Sequence, residues 1–130
     1  MKFAVSAREG AFEPRAAIAG KEARTLAREL LAMSDDEFRM AFGGSPMKRA
    51  KLRGLKRNAA VALGNAGEID DVPSLHSALD DAEPLVRGHA AWALGRIGPP
   101  DVIARLRERQ DVEPDASVRA EIASALAAAR

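Results

Sequence analysis

The chain has 130 residues, 47% of them in the AVILMFWYC set, with no Tyr and one Trp, which suits one domain built by small, Ala- and Leu-rich helix packing. It has no Cys, which excludes disulfides, thiolate chemistry, Cys-zinc sites and iron–sulfur ligation within this chain, and its two His, 76 and 89, lie too far apart for a local metal-ligand pair. The formal net charge is only +1, but Lys48, Arg49, Lys51, Arg53, Lys56 and Arg57 fall in a stretch, Gly43 to Gly67, with no acidic residue; without these six, 14 basic residues face 19 acidic ones, a balance of −5. One basic helix on an acidic body is the result. No apolar run is long enough to span a membrane, and the opening MKFAVSAREGAF has neither the apolar core nor the cleavage site of a signal peptide, so the cytoplasm is the default compartment.

Residues 1–20 are punctuated by Gly10, Pro14 and Gly20, which predicts an extended or loosely turned lead-in left from an upstream domain; a helical repeat domain is expected over 21–130. Lys21 to Ala32 reads as a helix, with Ala23, Leu26, Ala27, Leu30 and Leu31 forming one apolar stripe. Ser34 stops it and opens the next: Ser34 and Glu37 are spaced as a capping box, and Phe38, Met40 and Phe42 make the short helix that follows apolar. Gly43-Gly44 ends it. Ser45-Pro46 then opens a helix to about Ala66, because Ser can cap an orphan backbone N–H and Pro has no N–H to lose at the first position; Gly67 closes it. Leu52, Leu55, Ala59, Ala62, Leu63 and Ala66 are expected on one face, Arg49, Arg53 and Arg57 along one flank with Lys56 beside them, and Lys51 on the other flank.

Beyond Gly67 the sequence repeats. Lys56–Gly67 aligns without gaps to Arg87–Gly98 at an offset of 31 residues, and Val118–Leu126 is a degenerate third copy at an offset of 32 from the second. Asp71-Val72-Pro73 and Pro99-Pro100-Asp101 start the intervening helices, carrying Leu75, Ala78 and Leu79, and Val102, Ile103 and Leu106. Acidic, Pro-bearing turns at Asp80–Pro84 and Asp111–Asp115 lead into each next copy. A single helix pair cannot bury its apolar face, so the expected fold is all-α, an α-solenoid of stacked short repeats. The pattern at Asp81–Gly95 resembles a HEAT-type repeat of the short variety also found in phycobilisome lyases, a likeness specific for fold and almost silent on function.

The basic stretch has two readings on charge alone: a phosphate-binding footprint with Ser45 at its helix start, or a solvated face paired with the acidic turns of neighbouring repeats. Arg87 and Arg119 hold the position equivalent to Lys56 and are expected to pair with an acid of an adjacent turn. Asn58, His89 and Glu121 share one equivalent position and one surface, and Trp92 reads as inter-repeat packing rather than a stacking platform. The acidic pairs at 35–36, 70–71 and 80–81 are explained by helix starts. No nucleophile–base arrangement or Gly-rich phosphate loop is visible.

Three segments carry a family resemblance. Phe38-Arg39, then Phe42-Gly43-Gly44-Ser45-Pro46-Met47-Lys48-Arg49-Ala50-Lys51, then Arg57-Asn58-Ala59-Ala60-Val61-Ala62-Leu63-Gly64-Asn65 with Gly67, resemble the C-terminal region of epoxyqueuosine reductase. That pattern reads approximately F-R, F-x-G-S-P-I-K-R and R-N-A-x-I-A-L-G-N. Lys2-Phe3-Ala4 is similar to the segment just after the family's last cluster cysteine. The resemblance implies a HEAT-like part that holds tRNA for an enzyme reducing epoxyqueuosine to queuosine at the wobble position, with cobalamin and two four-iron–four-sulfur clusters. This chain lacks the cobalamin domain and every cluster cysteine, so no cofactor and no catalysis are expected of it alone, and Met1 falls where the upstream domain would end, as in a fragment or truncated product. The implied partners are tRNA, gripped at the anticodon stem-loop, and the missing catalytic domain. The candidate contacts are Ser45, Lys48, Arg49, Lys51, Arg53, Lys56 and Arg57, with His89 and Arg96 further along. The rival expectation is a stand-alone HEAT-repeat protein-interaction scaffold; a bilin-lyase-like chromophore handler rests on repeat type alone and lacks a reactive thiol.

Overall fold

In a computed structural model of the chain, the described residues are 18–42 and 48–129, and the side chains of Phe42, Lys48 and Arg49 lie outside that description. Helix α1 covers residues 18–32; most of the expected lead-in falls outside the described residues, and the part that does not, 18–20, is already helical. There follow α2 (Asp35–Phe42), α3 (Lys48–Ala66), a 3-10 turn (Ile69–Asp71), α4 (Val72–Ala78), α5 (Pro84–Ile97), α6 (Pro100–Val112) and α7 (Ala116–Ala128). The expected start of α3 at Ser45-Pro46 lies outside the described residues.

Local chemistry sets the boundaries. The capping box before α2 is formed in both directions: the Glu37 N–H donates to Ser34 Oγ at 3.1 Å and the Ser34 N–H to Glu37 Oε1 at 2.8 Å. Pro84 and Pro100 sit at the starts of α5 and α6, where a missing N–H costs nothing. Gly67 and Gly98 close α3 and α5 at φ 69°, a left-handed turn that favours Gly, and their N–H groups return to Leu63 and Leu94. Asp115 caps α7 by accepting from the N–H groups of Ser117 and Val118.

Helices α3, α5 and α7 form one layer with α5 in the middle; α4 backs α5, and α6 backs α7. The shared core holds Leu63, Leu75, Leu79, Val86, Leu94, Val102, Leu106 and Ile122, all fully buried, with Ala27 and Leu31 of α1 joining it. Burial of each large side chain contributes about 2 kcal/mol. The layer is tight because two glycines let backbones meet. A Cβ on Gly64 would lie 2.9 Å from Ala93 Cα and 2.7 Å from Trp92 Cζ3, and one on Gly95 would lie 2.9 Å from Ala125 Cα. The same step therefore joins α3 to α5 and α5 to α7.

The expected faces need correction. On α3 the buried line is Leu52, Lys56, Ala59, Ala60 and Leu63, whereas Ala62 and Ala66 are exposed and Leu55 is half-buried. On α1, Ala23 and Leu26 are exposed, and on α2 Met40 points to solvent while Phe38 is buried. Apolarity at helical spacing marked these positions; which of them the neighbouring helix covers depends on where α5 and α4 cross.

Charged side chains stitch the repeats at equivalent points. Lys56 Nζ lies 2.8 Å from Asp81 Oδ2, and Arg87 meets Glu113 through Nε and Nη2, both at 2.8 Å. Asp81 and Glu113 each also accept a backbone N–H two residues on, from Glu83 and Asp115. Arg119, third in this series, donates to the carbonyls of Glu113 and Pro114, as Arg87 does to those of Asp81 and Ala82, but among the described residues it meets no carboxylate. Asp71 is fully buried and, although it precedes α4, its carboxylate does not cap; it accepts from Arg24 and Arg28 of α1 instead. Asp80 takes Arg105 and Arg109 of α6.

Candidate nucleic-acid interface

The basic helix divides into two populations. Lys56 is 8% exposed and its ammonium is neutralised by Asp81, so it belongs to the inter-repeat ladder rather than to an accessible cationic surface. Arg53 and Arg57 lie one turn apart on the same flank. Arg53 is 42% exposed in its side chain and only loosely paired, 3.4 Å from Glu83. Arg57 donates to the neutral Asn58 Oδ1 at 3.2 Å and has no carboxylate partner among the described residues. Lys51 is exposed on the opposite flank, also without a described partner. Pairing with an acidic turn therefore accounts for only part of the stretch: one cation is consumed by such a turn, one is loosely held, and two have no carboxylate partner among the described residues. Lys48 and Arg49 are in the first turn of α3 by backbone, their side chains outside the described residues, as is all of Ser45.

His89 and Arg96 sit on α5, not on the basic helix. Arg96 lies over the Trp92 ring, 5.3 Å from its centroid, in cation–π geometry. His89 Nδ1 donates to the Leu85 carbonyl at 2.8 Å, which leaves Nε2 as an acceptor in the neutral ring. His89 lines an open groove of about 550 Å³ on the α3–α5–α7 layer, with Val61, Pro84, Leu85, Gly88, Trp92, Ser117, Val118 and Glu121; Arg96 touches it only through the Trp92 ring. Val61 stands one turn along α3 from Arg57, so the groove continues from the flank that carries Arg53 and Arg57.

Of the groove's lining residues only His89 was a sequence candidate; Gly88, Trp92 and Glu121 are the most informative of the rest. The signal for Glu121 was present, since it shares a repeat position with Asn58 and His89. Trp92 packs against the core as expected, with its edge seated at Gly64, but it remains only partly covered and lines the groove as well. Chemically, the surface offers cations for phosphate on α3 and an aromatic face with hydrogen-bond acceptors on α5 and α7. No helix among the described residues is long and apolar enough to cross a membrane.

Known proteins share this fold. A family model described as HEAT repeats matches residues 49–127. The epoxyqueuosine reductase of Bacillus subtilis is 34% identical over 101 residues, covering 77% of this chain and 26% of that protein. The enzyme of Pseudomonas aeruginosa is 39% identical over 98 residues, with coverages of 75% and 26%. Among solved structures, an epoxyqueuosine reductase with a tRNA-Tyr epoxyqueuosine-modified stem loop superposes with a TM-score of 0.70 at 31% identity, covering 79% of this chain and 28% of that one. The chain therefore spans about a quarter of the length of the curated reductases it matches. With its stacked hairpins, its repeated glycine contacts and this match, the chain belongs to the HEAT-repeat family and is homologous to part of epoxyqueuosine reductase.

Proposed function

We propose that the chain is a tRNA-holding module of an epoxyqueuosine reductase-like protein, gripping the anticodon stem-loop by its phosphates while a separate domain, with cobalamin and iron–sulfur clusters, reduces the base. The observation that carries this reading is that α3 keeps Lys51 and Arg57 without a carboxylate partner among the described residues, and Arg53 only loosely held, on a HEAT-repeat chain homologous to reductases, one of which has been solved with a tRNA stem loop. Lys48 and Arg49 extend the same basic segment toward its start. Phosphate contacts of this kind position the RNA without reading sequence, which suits a part that holds a loop while the chemistry is done elsewhere. Lys56 is left out of the contact set because its ammonium already has Asp81.

The test is binding of a synthetic anticodon stem-loop at several salt concentrations. Replacing Arg53 and Arg57 by Ala should weaken binding about tenfold at low salt and lower the salt-dependence slope by about two, one for each phosphate that is no longer neutralised. Lys56→Met should leave that slope unchanged. Equal affinity and slope for the wild type and the Arg53→Ala/Arg57→Ala variant would remove the assignment.

A further inference from the structure

Gly88 is out of place by propensity. It sits in the middle of α5 with ordinary helical backbone, where Gly is less favourable than Ala by about 1 kcal/mol. Packing does not require it. A Cβ there would meet nothing nearer than Glu121 Cγ at 3.9 Å and Val118 Cγ2 at 4.0 Å, in contrast with the sub-3 Å approaches at Gly64 and Gly95. What the missing side chain does is keep the groove open, since Gly88 lines it between Trp92 and Val118. Glu121 makes no hydrogen bond or ion pair among the described residues, His89 presents Nε2 as an acceptor, and the Ser117 hydroxyl is already donated to Asp115 at 2.6 Å. An aromatic wall with an unpaired carboxylate beside it fits a planar group that carries N–H donors on its edge.

We infer that this groove takes an unstacked guanine-type nucleobase, stacked on Trp92 with its ring N–H and amino group donating to Glu121. The inference rests on the RNA-binding reading above and adds a base-reading subsite to it. A lone carboxylate beside phosphates is repulsive unless it accepts from a base edge, and among single-stranded bases guanine offers two adjacent donors, whereas uracil offers one N–H between two carbonyls. The groove's continuity with the Arg53–Arg57 flank lets one strand place phosphates on α3 and a base on α5.

Trp92 is the only Trp in the chain, so its fluorescence reports the groove directly. Guanosine 5′-monophosphate should quench it saturably and uridine 5′-monophosphate should not. A stem-loop with a loop guanine should bind about tenfold tighter than the same loop with uracil, and Glu121→Gln should erase most of that preference. Gly88→Leu should abolish the quenching while leaving residual, salt-dependent affinity; circular dichroism checks its fold, and Gly88→Met, whose flexible side chain also fills the groove, serves if Leu unfolds the chain. Unchanged base preference in Glu121→Gln and unchanged quenching in the folded Gly88→Leu or Gly88→Met variant, with binding still weakened in the Arg53→Ala/Arg57→Ala variant, would overturn the subsite and leave the RNA reading standing. Failure of the wild type to bind any stem-loop would overturn both. Quenching by an arginine-rich peptide but not by guanosine monophosphate would assign the groove to a polypeptide and overturn the proposal.

Discussion

At the scale of single residues, the position shared by Lys56, Arg87 and Arg119 shows one sequence slot doing graded work. Arg87 is the most committed: its guanidinium spans Glu113 on one side and two carbonyls of its own turn on the other. Glu113 is fully enclosed in its side chain. Burial would raise its pKa, but Arg87, the Asp115 N–H and Arg109 outweigh that and hold the carboxyl below its ordinary 4.5. Arg87→Met should therefore cost about 3 kcal/mol, at the low end for a broken buried pair because Arg109 remains within 3.0 Å of Glu113. Urea denaturation measures it. The double variant Arg87→Met/Glu113→Met should recover much of the loss, since replacing both partners leaves no uncompensated buried charge.

At the scale of elements, the stack is governed by how closely α3, α5 and α7 approach. Gly95→Ala would press a methyl against Ala125 Cα, Cβ and carbonyl oxygen at 2.9 to 3.1 Å, against backbone that cannot turn aside. The expected cost is about 1–3 kcal/mol by overpacking. Gly54→Ala is the control: the nearest atom to its Cβ is the flexible end of Arg57 at 3.8 Å, and the change should stabilise α3 by about 0.5–1 kcal/mol. Thermal melts of the two variants should move in opposite directions. The same spacing argument explains why the stripe expected on α1 and α3 was only partly buried. Leu26, 57% exposed, shares its helix spacing with Ala27 and Leu31, yet no described helix crosses over it.

At the scale of the whole molecule, the half-buried His76 and the buried Glu113 tie stability to pH, beside the helix-capping carboxylates Glu37 and Asp115, whose pKa values their cap hydrogen bonds also lower. Burial holds the His76 pKa below its ordinary 6.5, more than Asp101 raises it, and Arg105 lowers it further; Nε2 is buried without a partner. The unfolded chain takes a proton that the folded ring resists, so stability is complete above 6.5 and declines as pH falls below it. Glu113, lowered from 4.5, contributes stability that is present above 4.5 and lost as pH falls through its depressed value. Melting temperature should decline in two stages on acidification, the first removed by His76→Gln and the second made smaller by Glu113→Gln, with the remainder carried by Glu37 and Asp115. Much of this architecture was legible in the sequence. Helix starts and stops, the capping box, the closing glycines and the repeat register follow from local backbone chemistry and periodicity, which each segment carries by itself. The repeat register alone also brings Asn58, His89 and Glu121 into one column. Charge fates were not legible: Lys56 and Arg57 are neighbours in a basic run, yet one is buried on Asp81 and the other faces a neutral amide, because the 100° between them decides which one meets the next repeat's turn. The groove was not legible either. Gly88, Trp92 and Glu121 come from two helices 29 residues apart at the nearest pair, and only the packing of α5 on α7 brings the acceptors, the aromatic face and the missing side chain together. Local chemistry determined the elements, while long-range packing geometry decided which cations and which surface remain for a ligand.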